Sequence, residues 1–171
     1  FVAFSSCNKL DLTPLDKISD TDTWNDPALI QLYVNACYNS LMHGFQQDLL
    51  SAASDDAFNI HDPGNFALIQ KGELTADNVT DVSNKIDYFD YAYGYIRTIN
   101  IFFSKIDAAP GDQKFKNSTT GEMKFIRAWL YANLIWRYGD VPLITKVFGL
   151  HDDFKITKSS YNDCVKFIVQ E

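Results

Sequence analysis

Apolar residues recur every three or four positions through Leu29, Leu32, Tyr33, Ala36, Cys37 and Leu41, the spacing of one helix face. The stretch before them supplies a start: Asp22 or Thr23 is the expected cap, and Pro27 is tolerated in a first turn. Gly44 is the expected stop, and a shorter helix is expected over residues 45–54. From 55 to 80 the period disappears among Asp, Asn, Gly and Pro, which predicts a long irregular loop. A second long helix is predicted over 82–107 from Tyr88, Tyr91, Tyr95, Ile96, Ile99, Phe102 and Ile106. Pro110-Gly111-Asp112 breaks it, and a third spans 119–138, closed by Gly139 and Pro142. A fourth begins at Ser159 or Ser160. Alternation of period two is almost absent, so the predicted class is all-α.

The 119–138 helix is apolar nearly all round, with Met123, Phe125, Ile126, Trp129, Leu130, Leu134, Ile135 and Trp136. Such a helix is expected to be covered on most sides. Ala128 and Ala132 let a neighbouring helix come close. Stacked helix pairs of this kind build helical-repeat scaffolds, although no clean 34-residue period is visible here. Arg127 is the exception on this helix, and an unpaired charge there would be costly. A carboxylate partner is expected, with Glu122 and Asp140 as the options.

Composition narrows the possible roles. Acidic residues outnumber basic ones 22 to 15, giving a net charge of −7, and no Lys/Arg cluster occurs. A nucleic-acid backbone would be repelled, so no nucleic-acid partner is expected. No apolar run approaches the ~18 residues of a membrane span. His43, His61 and His151 are scattered, and Cys7, Cys37 and Cys164 form no CxxC, so neither metal nor cofactor is expected. Cys37 and Cys164 read most simply as buried thiols. Asp55-Asp56 is an acidic pair beside the long loop, but adjacent residues do not provide two carboxylates facing each other across ~5–9.5 Å, as glycoside hydrolysis requires.

The start, FVAFSSCNKLDLTPLD, has its own logic. Residues 1–6 fit the end of a signal-peptide apolar region, with small Ser5 and Ser6 placed before Cys7 as a lipoprotein signal peptidase requires. Phe4 stands where the bacterial lipobox usually has Leu. On this reading Cys7 is the lipidated first residue and 7–22 a polar, Pro14-containing tether; the alternative is a short apolar stretch with a chance cysteine. Residues 23–171 form the helical domain. The first residue is not Met and KFIVQE stops inside a helical pattern, so the chain is expected to be the N-terminal part of something longer.

The segment GEMKFIRAWLYANLIWRYGDVPLIT, residues 121–145, resembles the SusD/RagB family of surface glycan-binding lipoproteins. Glu122, Phe125, Arg127, Ala128, Tyr131, Leu134, Tyr138, Gly139, Asp140, Val141, Pro142 and Leu143 occupy that family's helix-then-GDVPL pattern. Tyr91, Tyr95, Ile96, Asn100 and Ile106 are similar to an upstream family helix, and Cys7 with Leu10-Asp11-Leu12 to its lipidated tether. The resemblance implies a tetratricopeptide-like, right-handed α-α superhelical scaffold and a binding protein rather than an enzyme. It further implies an outer-membrane position, lipid-anchored and facing outward. There such a protein captures oligosaccharides or other nutrients for a partner TonB-dependent transporter (SusC-like). The alternative is a tetratricopeptide-like scaffold that binds protein and no glycan.

A sugar site asks for an aromatic face plus amides and carboxylates. The loop supplies Asp55, Phe58, Asn59, His61, Asn65 and Phe66, and the family's comparable loop contributes to its site. These six are the candidate ligand-binding residues, with the competing role for Phe58 and Phe66 being to pin the loop onto the helices.

Overall fold

The computed structural model describes residues 19–41, 50–58, 60–62, 65–82 and 88–171. Cys7, the signal remnant, most of the tether, Asn59 and the expected stop at Gly44 lie outside the described residues. Two short helices open the fold, α1 (Asp20–Asn25) and α2 (Pro27–Cys37). The single helix expected here is divided because a proline disfavours helical backbone at the residue before it. Asp26 is accordingly extended (φ −129°, ψ 117°) and becomes a cap, its carboxylate accepting the Ala28 N–H at 2.8 Å. α1 has its own cap in Ser19, whose Oγ accepts the Asp22 N–H while Asp22 accepts the Ser19 N–H. Those bonds from Ser19 hold the Asp22 carboxyl below its ordinary range. Residues 20–22, read as the end of the tether, are thus already helical.

A tight turn over Tyr38–Ser40 follows α2. Within the expected 45–54 helix, the described part is a 3-10 turn over Leu50–Ala53. The 55–80 region is irregular as expected, carrying only α3 (Ala67–Gln70) and a 3-10 turn over Val79–Asp81. Three long elements complete the chain: α4 (Phe89–Lys105), α5 (Gln113–Tyr138) and α6 (Tyr161–Gln170). α5 starts six residues before the expected Thr119, because Asp112 caps it by accepting the Phe115 N–H at 2.7 Å. Gly111 makes that entry possible. Its φ is +122°, and a Cβ there would lie 2.8 Å from the Phe115 ring.

α4 and α5 run antiparallel: Tyr88 at the start of one meets Tyr138 at the end of the other, and Lys116 reaches the Asp107 carbonyl at the opposite end. α5 and α6 are antiparallel too, with Val141 bridged to Ser159 at one end and Arg127 beside Glu171 at the other. The core lies between α2, α4, α5 and α6, built from Ile30, Val34, Ile96, Ile99, Phe102, Met123, Ile126, Leu130 and Leu134. Cys37 and Cys164 are free thiols within it. Among the described residues there are no strands, only that isolated bridge. As expected, α5 is covered on most sides, and Phe125, Trp129 and Trp136 are exposed along the remaining stripe. The described neighbours pack only its other faces.

Candidate functional site

Most of the 121–145 motif fastens the segment after α5 onto the helices. Gly139 ends α5 with φ +70°, a left-handed backbone that other residues adopt only under strain. The chain then pairs at Val141 with Ser159 and runs without helix or strand from Pro142 to Gly149. The Tyr93 hydroxyl donates to the Pro142 carbonyl at 2.7 Å. The Tyr131 hydroxyl accepts the Ile144 N–H at 2.7 Å and donates to the Ile144 carbonyl at 3.1 Å. Asn100 donates through Nδ2 to the carbonyls of Ile144 and Lys146. Burial pushes the Tyr131 phenol up to about 12, so it stays protonated as both bonds require.

Asn100 is fixed in turn by Arg127, whose Nη1 donates to Asn100 Oδ1 at 2.8 Å while Nε contacts Glu171 Oε2 at 2.6 Å. Both side chains of that ion pair are 8% exposed. The Arg127 guanidinium also lies over the Phe103 ring, 4.2 Å from its centroid. A carboxylate partner therefore exists, but it is neither of the two expected. Glu122, five residues earlier, faces elsewhere on the helix and accepts the Tyr38 hydroxyl at 2.9 Å. Asp140 caps α6 by accepting the Tyr161 N–H at 2.7 Å.

The nominated loop residues do not form one cluster. Asp55 lines an open cleft with Ala53, Ser54 and Gln70. Gln70 holds that cleft together, its Nε2 donating to the carbonyls of Ser54 and Ala57 at 3.0 Å each. Phe58 is 77% exposed, as is its neighbour Ile60 at 82%. His61 is exposed, and Asn59 lies outside the described residues. Asn65 spends its amide on the Asp81 carbonyl at 2.7 Å and adopts φ +53°. Phe66 is buried, so it pins the loop and offers no free ring face. Asp62, which the sequence reading passed over, secures that arrangement by accepting the N–H groups of Phe66 and Ala67.

A second concavity was not anticipated. It lies between α4 and the segment after α5 and encloses about 240 Å³. Tyr93 and Ile96 line it on the helix side, and Ile144, Phe148, Phe154 and Ile156 on the other. The Phe148 and Phe154 rings stand 5.7 Å apart. Arg97 and Lys146 are the charged residues lining it. A partial sequence signal existed: Ile144, Lys146 and Phe148 alternate, the spacing of one side of an extended segment, although the chain bends at Lys146. Among the described residues, no group of His, Cys, Asp and Glu is placed to hold a metal ion.

Antiparallel helices stacked through a common core define an all-α, tetratricopeptide-like helical-repeat scaffold. The chain belongs to the SusD-like family: a family model described as starch-binding, associating with the outer membrane, matches residues 10–171. Its structure is similar to that of a SusD-like protein from Bacteroides fragilis NCTC 9343, with a TM-score of 0.74 and 28% identity over 93% of this chain. It is also similar to a SusD-like carbohydrate-binding protein from the same strain, with a TM-score of 0.66 and 26% identity over 86% of this chain. The chain spans 30% of the length of each of those two proteins. No curated protein matches it in sequence.

Proposed function

We propose that this chain is the N-terminal scaffold of an outer-membrane protein that binds carbohydrate without cleaving it and passes oligosaccharides to a TonB-dependent transporter. The observation that carries this reading is the family match across 10–171, whose description is starch-binding and associating with the outer membrane. The similarity to a carbohydrate-binding protein adds to it. The lipid anchor at Cys7 rests on Ser5-Ser6 before it and on the family resemblance of Leu10-Asp11-Leu12 and residues 121–145. In that role the described helices supply rigidity, and the concavities they frame are the places where ligand contacts would arise.

The exposed stripe of Phe125, Trp129 and Trp136 favours the second reading, a scaffold that binds only protein. Calorimetric titration of the full-length protein with an oligosaccharide panel separates the two. Binding without release of reducing sugar is the expected result. A folded protein that binds no glycan on the panel would leave the scaffold reading in its place. The anchor has its own check: Cys7→Ser is expected to move the protein from the membrane fraction to the soluble one.

A further inference from the structure

The cavity between α4 and the 141–156 segment differs from the rest of the molecule in charge. The chain as a whole carries −7, yet both charged residues that line this cavity, Arg97 and Lys146, are cations. Neither forms an ion pair with a carboxylate of the described residues, whose pairs are Lys105–Asp20, Arg127–Glu171 and Lys166–Asp163. The acids of the 141–156 segment itself are committed to its turn. Asp152 accepts the Gly149 N–H at 3.0 Å, and Asp153 accepts the Lys155 N–H at 2.9 Å. Lys146 Nζ sits 4.8 Å from the centroid of the Phe148 ring, which keeps it at the aromatic wall.

The remaining lining is apolar, and one ring, Phe154, is 62% exposed. A largely apolar pocket with a few convergent polar groups is the usual form of a small-ligand site. Its backbone is held in advance. Tyr93 fixes Pro142, Tyr131 fixes Ile144, and Asn100 fixes both Ile144 and Lys146, so little ordering remains to be done on binding. At about 240 Å³ the cavity falls below the ~300–1,000 Å³ of drug-sized pockets, which suits one sugar ring with its neighbours outside.

We propose that this cavity binds a uronic acid residue of a glycan, its pyranose ring against Phe148 and Phe154 and its carboxylate between Arg97 and Lys146. The inference rests on the carbohydrate-binding reading above and names the sugar class for one place within it. An aromatic wall meets the C–H face of a pyranose. A guanidinium and an ammonium hydrogen-bond a carboxylate more strongly than the hydroxyls of a neutral sugar. A phosphate or sulfate ester would present two or more charged oxygens on a longer arm and would gain less from the ring wall.

The test is calorimetric titration of the full-length protein with galacturonate and glucuronate trimers and with their methyl esters, which keep the rings and lose the charge. At least one acid trimer is expected to bind about tenfold or more tightly than its ester. Arg97→Gln and Lys146→Gln, both on exposed side chains, are each expected to remove most of that preference. Raising the salt concentration is expected to weaken the acid trimer alone. Equal binding of acid and ester, or a preference that survives in the double variant, overturns the proposal, as would filling of the cavity by residues of the longer protein. Binding of neutral oligosaccharides with neither trimer overturns it and leaves the carbohydrate-binding reading standing. Absence of any carbohydrate binding overturns both.

Discussion

Replacing Arg127 by Met keeps the side-chain stem and deletes the charge, leaving Glu171 as a carboxylate 8% exposed with no cation beside it. Removing one member of a buried pair in this way costs about 3–5 kcal/mol. Two further losses accompany it. Asn100 Oδ1 loses its donor, and the Phe103 ring loses the guanidinium 4.2 Å from its centroid. The double variant Arg127→Met with Glu171→Leu is the informative control. With both charges gone, the unsatisfied Asn100 oxygen, at about 1–3 kcal/mol, is the main loss that remains, beside the lost Phe103 contact. Urea denaturation of the full-length protein, followed by circular dichroism, reads each value as a midpoint shift multiplied by the slope. The expected order is wild type, then the double variant, then either single variant. A single variant within about 1 kcal/mol of wild type, or a double variant as unstable as the two singles added together, would refute the claim that this pair matters because each charge is buried with the other.

Gly139→Ala is expected to destabilise by about 1–3 kcal/mol through backbone strain alone. A Cβ there meets nothing within 4 Å, so an unchanged melting temperature would show that the φ of +70° is not maintained. Tyr138→Phe removes the oxygen that accepts the Tyr88 N–H at 2.8 Å, with an expected loss of about 1–3 kcal/mol and faster amide exchange at Tyr88. Alkaline pH should also weaken the fold. Burial pushes the Cys37 thiol up to about 11, and the Tyr91 and Tyr131 phenols up to about 12. Since the unfolded chain gives up these protons first, the stabilisation is complete below about pH 9 and is lost as pH rises towards 12. Urea midpoints that hold steady or rise across that window would contradict the burial of these groups.

The long helices were legible because their signals are local. Apolar spacing marks α4 and α5, Gly139 followed by Pro142 marks the end of α5, and Ser160 caps α6. The break at Asp26 was legible in principle, since Pro27 constrains the residue before it, but the apolar period runs on past it. The start of α5 was hidden because Gln113 to Ser118 are mostly polar and face solvent, leaving Asp112 and Phe115 as the only markers. The partner of Arg127 could not be found by proximity, since Glu171 lies 44 positions away while Glu122 and Asp140 are occupied elsewhere. Of the loop candidates, Phe66 could not be told from Phe58 by composition. Only the backbone, bent at Asp62 and Asn65, turns one ring inward and the other out. The α4 cavity escaped notice because three alternating residues are too few to mark an extended segment.

The clasp from Arg127 to Glu171 also sets an order of events. A chain delivered from its N-terminal end, by a ribosome or through a membrane pore, presents α4 and α5 long before residue 171 arrives. Until then the Arg127 cation has Asn100 as its partner but no neutralising anion, and the helix pair lacks the cover of α6. Closure of that end of the stack therefore waits for a contact across 44 positions, made only once α6 has come through.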